Sequence, residues 1–305
     1  MLASLVLHLL GLVLLPFLLP GVINRVKAWW GGRRGAPLLQ PLWDTRRLLG
    51  KQPVYSEVTT AVFRLAPLVV VATTLVASLL APLVPGAGIL PFANDFVAFA
   101  YVVGLGRMFL MLAALDTGSP FEGMGAAREA TFAVFAEPAL FLVLGTLALG
   151  SGHGNFAELM LPHGWQAFLV SPLCATALFL LLLIESARLP VDDPTTHLEL
   201  TMIHEVMILD HSGVDLAMMQ YGAGLKLTLY AGMLAALVNP FPAHNQPLLS
   251  ALVSLALMLA TAVAIGFVES LVARLRMRLI PQFAFVIAAL GVVALLLATT
   301  QPELG

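Results

Sequence analysis

The sequence predicts an all-α integral membrane protein of about eight transmembrane helices, with an amphipathic helix at the interface and a further helix in a cytoplasmic loop. Three observations lead there. The 305-residue chain is 60% hydrophobic and only 10% charged, where a soluble domain carries about 25% charged residues. Apolar segments of spanning length, roughly 20 residues, recur at about 2–24, 58–84, 93–115, 131–150, 166–186, 214–238, 247–270 and 280–300. All 15 Lys and Arg residues lie inside these segments or in the loops after the first, third, fifth and seventh. Loops that stay cytoplasmic retain basic residues, so these four loops face the cytoplasm and both termini face outward, in a multi-pass chain of the cell inner membrane.

Taken in order, the first segment has no basic residue before it, and Arg25 and Lys27 follow it. A cleaved signal peptide has the opposite order, so this segment reads as an anchor with its N-terminus outside. Loop 25–57 holds Arg33, Arg34, Asp44, Arg46, Arg47 and Lys51. Within it, 41–51 sets Leu42, Trp43, Leu48 and Leu49 against those charges, which suits a helix lying in the interface. Loop 116–130 carries Arg128, loop 187–213 carries Arg188, and loop 271–279 carries Arg274, Arg276 and Arg278. The connections near 85–94, 151–165 and 239–247 hold no Lys or Arg. No Ser- or Gly-rich linker and no internal repeat divides the chain, which reads as one membrane domain over 1–305. The lone Cys174 lies inside the fifth segment, so there is no disulfide framework.

Charge inside a spanning segment is costly and marks function by default. Arg107 and Lys226 fall near the middle of predicted spans, and Glu137 falls early in the fourth, beside Pro138. An Arg or Lys at mid-bilayer needs an acidic partner or a water-filled cavity, so these three read as parts of a polar path. Arg64, about two turns into the second segment, and Glu269, at the cytoplasmic end of the seventh, read as structural or snorkelling charges. Glu185 ends the fifth segment.

Polar residues are densest just after Glu185. Asp192, Asp193, His197, Glu199, His204, Glu205, Asp210 and His211 follow in close order. Pro194 and Thr195 suit a helix start, and a helix to about Leu209 places His197, His204 and His211, seven apart, on one face. That spacing is too long for two histidines on adjacent turns to grip one ion, so no metal site is read here. Carboxylates near the membrane surface, Glu199, Glu205 and Asp210, are candidates for proton exchange. Gly104-Leu-Gly106 and Gly123-Met-Gly125 sit on no βα unit and read as packing glycines rather than nucleotide loops. One cysteine cannot hold an iron–sulfur cluster.

The motifs as a set resemble a known family. Arg33-Arg-Gly-Ala-Pro-Leu-Leu-Gln-Pro-Leu-Trp-Asp44 with Leu48 to Lys51 is similar to the loop between the first two helices of subunit 1 of respiratory complex I. Glu185-Ser-Ala-Arg-Leu-Pro-Val-Asp-Asp-Pro194 resembles that family's E-x-x-R-x-P-x-D-x-P. Asp210-His-Ser-Gly213 resembles its E-Y-S-G, and Glu269 to Arg276 its last basic motif. Leu115 to Phe121, Gly123 to Glu129 and Asp192 to Gly213 resemble the branch found in formate hydrogenlyase and hydrogenase-4 complexes. Two departures from complex I disfavour quinone: the stretch from Glu199 to the Ser-Gly pair is about three residues longer, and Lys226 stands where complex I usually has an apolar residue.

The resemblance implies a membrane-anchoring, energy-coupling subunit of a membrane-bound nickel–iron hydrogenase. It binds no cofactor itself; the nickel–iron site and iron–sulfur clusters belong to partners. Those partners are hydrogenase large and small subunits, a ferredoxin-like iron–sulfur subunit and antiporter-like membrane subunits, with no nucleic acid. The implied charge path is Glu137, Glu185, Glu199, Glu205, Asp210, Arg107 and Lys226, with Arg188 as a partner of its carboxylates. The implied docking residues are Arg33, Arg34, Asp44, Arg46, Arg47, Asp192, Asp193, Arg274 and Arg276. The other readings are a quinone-reducing complex I-type subunit and a stand-alone transporter, which would show paired halves with broken helices.

Overall fold

A computed structural model describes residues 2–86, 88–161, 166–192, 202–242, 245–276 and 279–300. Among the described residues there is no strand, and eight helices are long and apolar enough to cross a membrane. In chain order the elements are α1 (Leu2–Trp30), α2 (Gln40–Leu49), α3 (Ala61–Leu80), α4 (Asp95–Asp116), α5 (Pro120–Ser151), α6 (Phe156–Leu159), α7 (Gln166–Glu185), α8 (His204–Met207), α9 (Gly213–Val238), α10 (Pro247–Leu271) and α11 (Ile280–Thr299).

Local chemistry sets the ends. Thr60 caps α3 by accepting from the Val62 amide at 3.2 Å, a contact worth ~1 kcal/mol. Asp116, closing α4, accepts from the Thr60 and Phe63 amides at 2.7 and 3.2 Å. One carboxylate therefore ties the end of α4 to the start of α3, and the two helices pack as neighbours. Asp95 does the same at the other end of α4, accepting from the Phe156 amide at 2.6 Å. Interfacial helix α2 carries Pro41 in its first turn and ends at Gly50. It leaves Trp43, Arg46, Arg47 and Leu49 exposed while Thr45 is buried.

Helix α5 starts at Pro120, eleven residues before the expected segment. The apolar run begins only at 131, but Pro120 at the first helical position and the helix formers between it and Thr131 extend the helix into the expected loop. Glu137 thereby moves from the start of a span to its middle. By contrast Arg64 lies in the first turn of α3, exposed over the Tyr55 ring at 4.9 Å, because α3 starts at Ala61. The expected loop helix is seen only in part. Residues 193–201, with Asp193, His197 and Glu199, lie outside the described residues, and the described helix is the single turn α8.

Helix α9 is the centre of the bundle. Its span is 78% buried, against 28% to 56% for the others, although it is the least hydrophobic. Helices α1, α3, α7 and α10 pack around it, and α5, α7 and α11 form a second group joined to it through α7. Close approach needs small residues: a Cβ on Gly224 would lie 2.4 Å from the Pro16 carbonyl oxygen of α1. Outward-facing Leu14, Phe168, Leu248, Leu252 and Phe285 are exposed, as expected where lipid, not water, is the surrounding solvent. The chain is a multi-pass membrane protein.

Candidate functional site

Four spanning helices bring their charges to one point. Arg107, near the middle of α4, is buried and faces three carboxylates. Its Nη1 donates to Glu137 Oε1 at 2.8 Å, its Nη2 donates to Glu185 Oε1, and its Nε lies 3.2 Å from Glu129 Oε1. Glu137 and Glu129 are eight residues apart on α5, so both project toward α4. Lys226, in the middle of α9, pairs with the second oxygen of Glu185 at 2.6 Å. An unpaired charge at mid-bilayer costs ~2.5–3.5 kcal/mol on insertion scales; mutual pairing removes the reason for that cost.

The network continues towards the basic loops. His204 on α8 lies with Nε2 3.2 Å from Glu129 Oε2 and Nδ1 3.7 Å from Asp192 Oδ2. These contacts are ion pairs rather than aligned hydrogen bonds. Asp192 accepts from the Ile203 and His204 amides at 3.1 and 3.0 Å, and Arg274 Nη2 approaches its other oxygen at 3.0 Å. Burial opposes charge on both members of the His204–Asp192 pair, but each is outweighed. Glu129 and Asp192 hold the His204 pKa up at about 9, and His204 with Arg274 pulls Asp192 below the usual carboxylate value.

Two cavities meet at this network. One, of about 400 Å³, runs from Pro16, Phe17 and Asp44 to Glu129, Lys226, His204 and Glu205. The other, of about 280 Å³, lies beside Tyr101, Gly104, Phe141 and Glu137. Arg107 and Glu185 line both. Together with Val103, which also lines both, they stand as the wall between the two cavities. The side chain of Glu137 is 48% exposed, facing outward between α4 and α5.

Of the expected path, Arg107, Glu137, Glu185 and Lys226 come together, and Glu205 lines the larger cavity. Glu199 lies outside the described residues. Asp210 is not in the path: it is exposed, and its amide donates to the buried Glu122 at 3.0 Å. Arg188 does not serve the path carboxylates, because Glu269 takes it at 3.5 Å together with Lys27 at 2.8 Å.

Among the residues expected to dock partners, Arg33, Arg34, Arg46, Arg47 and Arg276 are exposed. Asp192 is fully buried and Arg274 is spent on it, so neither offers a free surface; a loop carboxylate that caps two amides is held inward. Asp44 is half-buried, accepts from Gln40 at 2.9 Å and lines the larger cavity. Nor do His204 and His211 share a helical face, because α8 ends at Met207 and His211 stacks on Phe63 at 4.0 Å; His197 lies outside the described residues.

Glu129 and His204 were missing from the expected site. Glu129 was legible through its spacing to Glu137, had α5 been extended. Nothing local marks His204 apart from its charged neighbours.

Fold and site thus define a multi-pass helical membrane protein with a buried ionic centre set between two cavities. The model of the family described as NADH dehydrogenase matches residues 3–300, and the chain belongs to that family, of the complex I subunit 1 type. It is 33% identical to hydrogenase-4 component C of Escherichia coli, over 92% of this chain and 91% of that one. It is 32% identical to formate hydrogenlyase subunit 4 of the same organism, over 92% and 94%. NADH-ubiquinone oxidoreductase chain 1 of Triticum aestivum is 27% identical over 64% of this chain and 60% of that one. A chain of a membrane-bound sulfane sulfur reductase, an archaeal respiratory membrane complex, shares the fold with a TM-score of 0.78 at 21% identity, covering 97% of this chain and 99% of that one.

Proposed function

We propose that this chain is the anchoring and energy-coupling membrane subunit of a multisubunit nickel–iron hydrogenase of the hydrogenase-4 or formate hydrogenlyase type. It would sit in the cell inner membrane with both termini outside. The observation that carries the reading is the wall formed by Arg107 and Glu185 between the two cavities. A charge or proton arriving on one side changes the balance of pairs seen from the other, which is what coupling requires. The full-length relatives in two hydrogen-linked complexes supply the context. Lys226, paired with Glu185, lines the larger cavity and makes it less suited to an apolar quinone. The redox groups, a nickel–iron site and iron–sulfur clusters, would be held by hydrogenase and ferredoxin-like partners on the basic side, and antiporter-like subunits would receive the charge shift within the membrane.

Vesicles carrying the whole complex test this. Glu185→Gln should leave the complex assembled and reduce the pH gradient formed per hydrogen evolved. A wild-type gradient in that variant would reject the coupling role. Reversing the charges of Arg46, Arg47 and Asp193 together should release the soluble subunits from the membrane; intact purification of the triple variant would reject docking there. A cysteine at position 155 should be labelled from the outer side only.

A further inference from the structure

The network holds four basic groups, Arg107, Lys226, Arg274 and His204, and four carboxylates, Glu129, Glu137, Glu185 and Asp192. Three of the basic groups are Arg or Lys. His204 is the fourth only while both ring nitrogens carry protons. With imidazolium four formally basic groups face four carboxyl groups; with neutral imidazole three face four. His204 also sits on the shortest element of the network, the single turn α8. Its ring holds that turn to α5 through Glu129 and to the stretch after α7 through Asp192. The other ties of this segment hold in either state of the ring: the Ile203 and His204 amides donate to Asp192, Arg128 of α5 donates to the Met202 carbonyl at 2.6 Å, and the Asp210 amide donates to Glu122.

We propose that His204 is a titratable clasp: as imidazolium it fastens the α8 loop to Glu129 and Asp192 and balances the buried centre, and withdrawal of the loop releases its proton to the larger cavity. The proposal deepens the coupling reading and rests on it. The charged groups facing the ring are Glu129 of α5, Asp192 after α7, Arg107 of α4 behind Glu129, Arg274 after α10 behind Asp192, Arg128 of α5, and the neighbouring Glu205. Two carboxylates lie in direct reach of the ring and the fixed cations stand one contact further back, so the doubly protonated ring is favoured.

The proton balance is simple. One ring N–H bond breaks, the proton passes to solvent in the cavity, and the ring becomes neutral; no electron moves. Docking the loop raises the His204 pKa from 6.5 to about 9, so by reciprocity pulling the loop away returns it toward 6.5 and discharges a proton at neutral pH. A displacement at the docking surface is thereby converted into a proton released next to Glu205. The sign follows directly: the clasp is closed below pH 6.5 and is lost as pH rises through about 9.

The test is amide hydrogen exchange of residues 202–211 in membranes carrying the intact complex, corrected for the intrinsic base-catalysed rate. The wild-type protein should keep its protection near neutral pH and lose it through about pH 9. His204→Gln should exchange at least about tenfold faster already at neutral pH, equivalent to one pKa unit of lost interaction. His204→Lys, cationic to higher pH, should stay protected past the wild-type midpoint. Wild-type protection that does not change with pH overturns the clasp, whatever the variants do, and so does His204→Gln exchanging like wild type. The vesicle gradient separates the two readings. A pH-dependent clasp with a wild-type gradient in His204→Gln leaves the clasp standing and removes its coupling role. No clasp, with Glu185→Gln still lacking a gradient, keeps the coupling reading and rejects this proposal.

Discussion

Two buried ion clusters in this molecule use the same chemistry and occupy different surroundings. Around Glu269, Lys27 of α1 and Arg188 of the turn after α7 meet one carboxylate at 2.8 and 3.5 Å. Around Arg107, three carboxylates meet one guanidinium, and Lys226 joins from α9. Neither Lys27 nor Glu269 lines either cavity, and of that trio Arg188 alone reaches one. Arg107 and Glu185 line both. A buried ion pair is poor proof of net stability, but its setting says what it can do. Glu269, buried and outside both cavities, fastens α10 to α1 through Lys27. Set in a wall between cavities, the Arg107 cluster can exchange charge with what fills them.

The comparison is open to attack in descending order of effect. Arg107→Leu should be the most damaging change, because it leaves Glu129 and Glu185 buried without their shared cation. Breaking a buried pair from one side costs ~3–5 kcal/mol, so the chain should be depleted from membranes; wild-type abundance would contradict the account. Glu185→Gln and Glu137→Gln keep size and hydrogen-bonding capacity and lose the ionisable proton. They should lower gradient formation on the order of 100-fold if proton transfer is what they serve, with assembly retained. Glu205→Gln, at the cavity edge, should behave likewise with a smaller loss.

Glu269→Gln sharpens the contrast from the other side. It should cost ~1–3 kcal/mol of stability, read as a lower thermal inactivation temperature, while the gradient per hydrogen evolved stays at the wild-type level. A collapsed gradient in Glu269→Gln beside a normal one in Glu185→Gln would invert the assignment. An effect confined to acid pH concerns His211, stacked on Phe63 and held neutral by burial, which depresses its pKa to about 4. The unfolded chain binds a proton there below 6.5 and the folded chain only below about 4. Stability should therefore fall across that window by at most about 1.4 kcal/mol per pH unit. His211→Phe should flatten this acid limb in detergent-solubilised thermal unfolding, and an unchanged limb would show that His211 does not set it.

How much of the site was legible depended on whether a residue's meaning is carried by its own segment. Arg107, Lys226 and Glu185 announce themselves, because a charge in an apolar run has no inexpensive local explanation. Glu129 is hidden in the sequence because the hydrophobic run begins only at 131, whereas helix propensity carries α5 back to Pro120. Asp192 read as surface because the stretch around it is polar. It is instead an internal cap, spent on the amides of 203 and 204. Asp210 and Arg188 went astray for a related reason: proximity in sequence to the path did not put them in it.

The sequence by itself determined the solvent, the number of spans and the gathering of basic residues in alternate loops. Apolar length and the cost of moving Lys and Arg across a bilayer act segment by segment, and each segment states its own energy. Only the tertiary structure decided which carboxylate takes which cation. That Arg107 holds Glu129, Glu137 and Glu185, while Arg188 goes to Glu269, follows from how α4, α5, α7, α9 and α10 pack. Ion pairing falls off within a few ångströms, and residues 78 and 81 positions apart come within that range only when helices meet.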